Sequence, residues 1–303
     1  MHMVLSLTLM HDAHLAPASS EISTQYTRSA LQHWNTATTL FNRALFRPIA
    51  PESRDALWAT AALVGVSVFA YVETPDAEQS WPLKPSDPND LDWLKLSEGK
   101  KAVWKIADPT RPDSVFNEMS KDRDYDVVPA WVQENDVSSI PEDVRRLFDI
   151  TESSTIKNNP YHLPTLILTR LQVLVPSHQN VLNFLYFLGY MSADFRNLLE
   201  IKDPRALLLL GWWFKRLERG EMWWLKKRAE VGSKGIETWL EKWFGGETGL
   251  VKMFNSLGNG NPPMNDAAEF RAAAAGWFRA TDEDSLLFKH DVLIERAAHV
   301  DSG

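Results

Sequence analysis

Apolar residues recur at spacings of three and four along most of this chain, and no run alternates long enough to form a strand. The pattern predicts an all-α fold, a single irregular multi-helix domain over 1–303. Met3, Leu7, Met10 and His14 share one face of an opening helix, with Val4, His11 and Leu15 beside them, so this helix is expected to be enclosed from its first turn. Ser19 and Ser20 stand where a cap is needed for a long second helix, whose stripe of Tyr26, Ala30, Trp34, Ala37, Phe41 and Leu45 ends before Pro48. A third helix, about Glu52 to Val72, carries Ala59, Ala61, Ala62, Gly65, Ser67 and Ala70. Small side chains there predict close approach of a neighbouring backbone.

Two long loops interrupt the helices, near 74–90 and 108–141. The first holds Pro75, Pro82, Pro85 and Pro88, which remove amide donors, and Trp81 reads as its anchor. Between the loops, Asp90 or Asp92 restarts a helix through Leu94, Leu96, Val103 and Trp104. The second loop is polar and acidic, with Asp122, Asp124 and Asp126, and Trp131 as a pin. Helical spacing returns at Glu142–Ile150 and after Pro160. Ser177 then reads as the cap of one strong helix carrying Val181, Phe184, Leu185, Leu188, Met191, Phe195 and Leu199. A C-terminal helical extension is expected at about 264–303.

The densest stretch runs from Asp203 to Phe244 and holds six of the 13 tryptophans. Asp203 suits the N-cap and Pro204 the first helical position, where the missing amide costs no bond. From Ala206 to Phe214 the chain is apolar on every side, so protein surrounds this helix. A second helix is expected near Glu221 and a third through Ile236, Trp239, Leu240, Trp243 and Phe244. Their rings read first as core filling and, as the second reading, as the walls of a cavity for a bulky apolar ligand.

Composition narrows the functions open to such a fold. A chain of 303 residues, 44% hydrophobic and 24% charged, can bury one large core or two smaller ones. Its net charge of −8 disfavours contact with phosphate backbones. Lys226, Lys227 and Arg228, with Glu221 and Glu230 nearby, read as a solvated helix face. The absence of cysteine excludes disulfides, thiolate zinc sites and cysteine nucleophiles. Val4–Leu9 lacks the basic start of a signal peptide, and Ala59–Val72 is too short to cross a bilayer. His11 and His14 share a helix face, but no third ligand completes a metal site. Asp122, Asp124 and Asp126 lack the glycine and closing glutamate of a calcium loop. No nucleophile elbow, phosphate loop or dinucleotide fingerprint is present, so neither catalysis nor a cofactor is predicted.

The order of several short segments resembles the C-terminal regulatory region of fungal zinc-cluster transcription factors of the sterol-uptake-control type. These segments are Ala13-His14-Leu15-Ala16, Ala59-Thr60-Ala61-Ala62-Leu63 and Asp92-Trp93-Leu94-Lys95-Leu96 with Gly99. They continue with Asp194-Phe195 and Leu198-Leu199, Asp203-Pro204-Arg205-Ala206-Leu207 with Trp213, and Trp223-Trp224-Leu225, so that the likeness spans about 2–235. The resemblance implies an all-helical ligand-sensing domain, often a homodimer, that binds a sterol or similar apolar molecule. Binding would control nuclear entry and transcription of lipid and sterol genes, with residence in nucleus and cytoplasm. The six-cysteine DNA-binding module of that family is missing from this sequence, so no nucleic-acid contact by that route is expected. The chain reads as an isolated regulatory domain or as a paralogue lacking the module. Ligand contacts are expected from Phe184, Phe187, Met191, Leu207, Leu210, Trp213, Phe214 and Trp224. Two alternatives stand beside sensing: a solid-cored dimerisation or protein-interaction module, and an enzyme acting on a hydrophobic metabolite.

Overall fold

The computed structural model describes residues 1–120 and 137–244, together with Phe254 and Leu257. It is all-α, with no strand among the described residues. Asp122, Asp124, Asp126, Trp131 and the extension expected at 264–303 lie outside the described residues. Where a single domain was expected, contacts group the chain into two compact units. The first comprises the described parts of Met1–Glu73, Leu91–Pro129 and Met222–Arg228; the second those of Thr74–Asp90, Ala130–Glu221 and Ala229–Gly303.

The first unit is built on α1 (His2–Leu15), α2 (Glu21–Leu45), α3 (Arg54–Ala70) and α4 (Leu96–Ala107), followed by the short α5 (Asn117–Ser120). Ser20 caps α2 through its hydroxyl, which accepts from the Ser23 amide at 3.1 Å. The Ser6 hydroxyl of α1 donates to the Ala30 carbonyl of α2 at 2.9 Å, and both residues are fully buried. The small side chains of Ser6 and Ala30 permit this close approach. On α1 the buried face is Met3, Ser6 and Met10, whereas Val4, Leu5 and Leu15 are exposed. The expectation of full enclosure is therefore corrected, because α2 and α3 cover α1 along one side.

On α3 the small-residue reading also changes. A Cβ added at Gly65 would meet nothing within 4 Å, so no backbone crosses there. The helix packs instead through Leu57, Trp58 and Ala61 against Val103 and Ala107 of α4, with Trp58 and Trp104 edge to face at 4.9 Å. Its first turn also anchors a later loop. The Asp55 carboxylate accepts from Arg111 Nη2 at 2.6 Å, the Ser114 hydroxyl at 2.8 Å and the Val115 amide at 3.0 Å.

In the second unit α6 (Glu142–Leu147) and α7 (His162–Leu171) precede the helix foreseen to run unbroken from Val181 to Leu199. It is two helices, α8 (Val181–Gly189) and α9 (Ala193–Glu200). The Ser192 hydroxyl accepts from the Phe195 amide at 3.1 Å and starts the second, a local capping bond that the continuous apolar spacing hides. The N-cap position of α8 is Asn180 rather than Ser177; its side chain makes no capping bond to the helix and accepts instead from the Ser177 amide at 2.8 Å.

The tryptophan-rich stretch forms two helices rather than three, α10 (Pro204–Glu218) and α11 (Trp223–Phe244). Gly232 and Gly235 do not break α11; they admit neighbours. A Cβ at Gly232 would fall 2.5 Å from the Phe214 ring, and one at Gly235 would lie 3.4 Å from the Trp81 carbonyl. The proline-rich 74–90 loop, with its single 3-10 turn at Ala77–Gln79, thus lies against α11 at a residue without a side chain. The first residues of α11, through Arg228, group with the first unit and Ala229 onward with the second.

Candidate ligand site

Asp203 starts α10 as its residue type demands, its carboxylate accepting from the Ala206 amide at 2.8 Å, with Pro204 at the first position. The Tyr161 hydroxyl donates to the same carboxylate at 2.9 Å, and the Arg205 guanidinium lies 4.5 Å over the Tyr161 ring while pairing with Asp149 at 2.7 Å. Burial raises the Asp203 pKa above the usual carboxylate value, against the lowering effects of the Ala206 amide, Arg205 and Tyr161. Burial and the neighbouring carboxylate likewise hold the Tyr161 phenol protonated.

Beyond this cap, 12 of the 15 residues of α10 are buried, which leaves the helix no free face. Seven of the eight expected ligand contacts, Phe184, Phe187, Met191, Leu207, Leu210, Trp213 and Phe214, are buried in this unit. Trp213 Nε1 donates to the Phe184 carbonyl at 2.8 Å, and Phe187 stacks on the Trp213 indole at 5.4 Å and 16°. Gly211 holds the Phe254 ring where a Cβ would come within 2.2 Å. The rings therefore occupy one another's space. Trp224 does not join them: it belongs to the first unit, beside Phe69 at 5.9 Å.

Two arginines of this stretch close helix ends. Arg216, 1% exposed, donates through Nη2 to the carbonyls of Gln172 (2.9 Å) and Leu174 just past the C-terminus of α7. Its burial, with Arg219 nearby, pushes its pKa down to about 10. In the first unit Arg228 donates to the carbonyls of Val68 (2.8 Å) and Tyr71 (2.7 Å) at the end of α3, and its guanidinium lies 5.1 Å over Trp93. Burial pushes its pKa down to about 10. Lys226 and Lys227 are exposed as expected, but Arg228 is an inserted helix clamp rather than part of a solvated face.

A groove large enough for a ligand lies in the first unit, with a volume of about 430 Å³. One wall is the last turns of α2, with Ala37, Leu40, Phe41 and Ala44. Opposite are Ser53, Ala56, Leu57 and Thr60 at the start of α3, and the connecting residues Arg47 to Ala50 close one end. Met1, His2 and Met3 close the other. His2 is held by a 2.8 Å contact between its Nδ1 and that of His33, in which one ring donates and the other accepts. Leu40, which lines the groove, is 50% exposed, and Phe46, next to Arg47 in sequence, is 91% exposed. The one trace of this site in the sequence is that α2 carries more apolar residues than its stripe requires.

His11 and His14, the two imidazoles of the opening helix, flank the Trp223 ring at 5.0 and 5.8 Å. No group of three or more metal-ligating side chains is gathered among the described residues. No described helix is long and apolar enough to cross a membrane. No protein-family model, curated protein or solved structure matches the chain.

Proposed function

We propose that this chain is a ligand-sensing regulatory domain that binds an apolar small molecule of sterol-like size and so controls transcription of lipid or sterol genes. The observation that carries this reading is the groove of about 430 Å³ between α2 and α3. Its volume falls within the range of ordinary ligand clefts, and its walls are mostly aliphatic with few polar groups. The regulatory role, a homodimeric state and a place in nucleus and cytoplasm rest on the resemblance of the ordered segments. The task assigned to the groove is binding, not catalysis.

The test is titration with ergosterol, followed by tryptophan fluorescence and by retention of radiolabelled sterol. A saturable change is expected, and it is expected to disappear in Ala44→Trp, which fills the groove from its exposed wall. No saturable change together with no retained sterol would exclude the sterol. A second reading, a module that docks a protein and senses nothing, draws on the exposed Phe46 and Leu45 beside the groove. It predicts no shift in melting temperature with any lipid and concentration-dependent association that Phe46→Ser weakens.

A further inference from the structure

The groove has a chemical polarity along its length. From Ala37 to its end at Leu45 the α2 wall advances eight residues, roughly 12 Å at the helical rise, and Arg47 follows just beyond. At one end stand Met1 and Met3, polarizable and unbranched. At the other stands Arg47, exposed and with no carboxylate partner among the described residues. No aspartate or glutamate lines the groove, so within a chain of net charge −8 its lining side chains carry one formal positive charge, on Arg47, and no negative one, besides the Met1 ammonium at the far end. Ser53, which precedes α3 and lies close in sequence to Arg47, lines the groove and makes no side-chain capping bond.

We propose that the groove takes an amphiphile with an acidic head, its carboxylate at Arg47 and Ser53 and its apolar body lying along Phe41 and Leu57 towards Met3. This deepens the apolar-ligand reading and rests on it. An arginine fork matches a carboxylate in two parallel hydrogen bonds, which an uncharged alcohol cannot supply. The body is held by removal of apolar surface from water, which is indifferent to the head. Head and body are therefore separable contributions, and each has its own variant.

The test uses the full chain and displacement of the fluorescent polyene acid cis-parinaric acid by two competitors of equal chain length, dodecanoate and dodecanol, both as monomers. Wild type is expected to prefer the acid. Arg47→Gln, on an exposed side chain outside the packed core, is expected to weaken dodecanoate by about tenfold while leaving dodecanol unchanged, with Arg47→Lys falling between. Ala44→Trp is expected to weaken both. Equal affinity for acid and alcohol, unmoved by Arg47→Gln, would overturn the acidic head and leave the apolar groove standing. Failure of dodecanoate, dodecanol and ergosterol alike would overturn the apolar-ligand reading itself. Sedimentation with phosphatidylglycerol vesicles in the absence of monomer binding would assign Arg47 to a lipid surface and also overturn the groove site.

Discussion

Helices α10 and α2, one from each unit, bury themselves in opposite ways. The 15-residue α10 buries 12 positions, among them Trp212, Trp213 and Phe214; the 25-residue α2 buries only Ala30 and Ala37. Around α10 large rings interlock, so each occupies space that a ligand would need. Around α2 the close contacts are made by alanine and serine, and the larger side chains stand half-exposed around a groove. Aromatic density thus marks interlocked burial among the described residues, and the groove of about 430 Å³ lies where the side chains of α2 and α3 stand part-exposed.

The comparison is most sharply tested by truncation. Trp213→Ala removes a ring stacked on Phe187 and bonded to the Phe184 carbonyl, and is expected to cost about 3–5 kcal/mol in chemical denaturation. Leu40→Ala, at the rim of the groove, is expected to stay within about 0.5 kcal/mol. Comparable losses would mean that the two regions are packed alike. A ligand-dependent rescue of Trp213→Ala would move the binding site back to the aromatic core.

Added volume probes the same contrast from the other side. Gly211→Ala drives a methyl into the Phe254 ring and is expected to cost about 1–3 kcal/mol. Gly65→Ala, on α3 with open space around it, is expected to gain about 0.5–1 kcal/mol from helix propensity and reduced unfolded-chain freedom. Thermal melts of the two variants should therefore move in opposite directions.

The smallest effect is electrostatic. Asp203 in the second unit has a raised pKa, so the unfolded chain releases its proton first and stability falls as pH rises from 3.8 through the raised value. Asp55 in the first unit is lowered: burial pulls upward, but the Val115 amide, the Ser114 hydroxyl and Arg111 outweigh it. Its contribution is present above 3.8 and is lost as pH falls through the depressed value. Denaturation curves across the acid range should show Asp203→Asn, which keeps a capping oxygen, removing the first slope. Asp55→Asn should remove the second. A shared sign would show that the two carboxylates do not differ in environment.

What the sequence discloses depends on how local the cause is. The α10 start is legible because Asp203 and Pro204 carry the whole reason for it. The break at Tyr190–Ser192 is not, because spacing of three and four runs straight across it and only the Ser192 capping bond marks it. The continuity of α11 was obscured by Gly232 and Gly235, which look like punctuation until Phe214 and Trp81 are seen against them. The aromatic contacts were foreseen as neighbours, and all but Trp224 are together in one unit. The groove was illegible for a different reason: its walls come from three segments whose residues, alanine and leucine above all, have no motif. Arg228 shows the same limit, since its carbonyl partners are about 160 positions away in sequence.

The two ends of the α7 and α10 pair have a mechanical consequence. Tyr161 and Asp203, the residues that begin the two helices, are joined at 2.9 Å, and near the other end Arg216 of α10 reaches the Gln172 carbonyl at 2.9 Å. The helices therefore run side by side in the same direction, keyed at top and bottom like two rails bolted at both ends. A slide of one helical turn, roughly 5.4 Å, would strip both bolts together, leaving buried Arg216 without its carbonyls and the Asp203 carboxylate with the Ala206 amide of its own helix but not the Tyr161 hydroxyl. Sliding of this pair is thus barred as a mode of response. Displacement of either helix is therefore expected to carry the other with it.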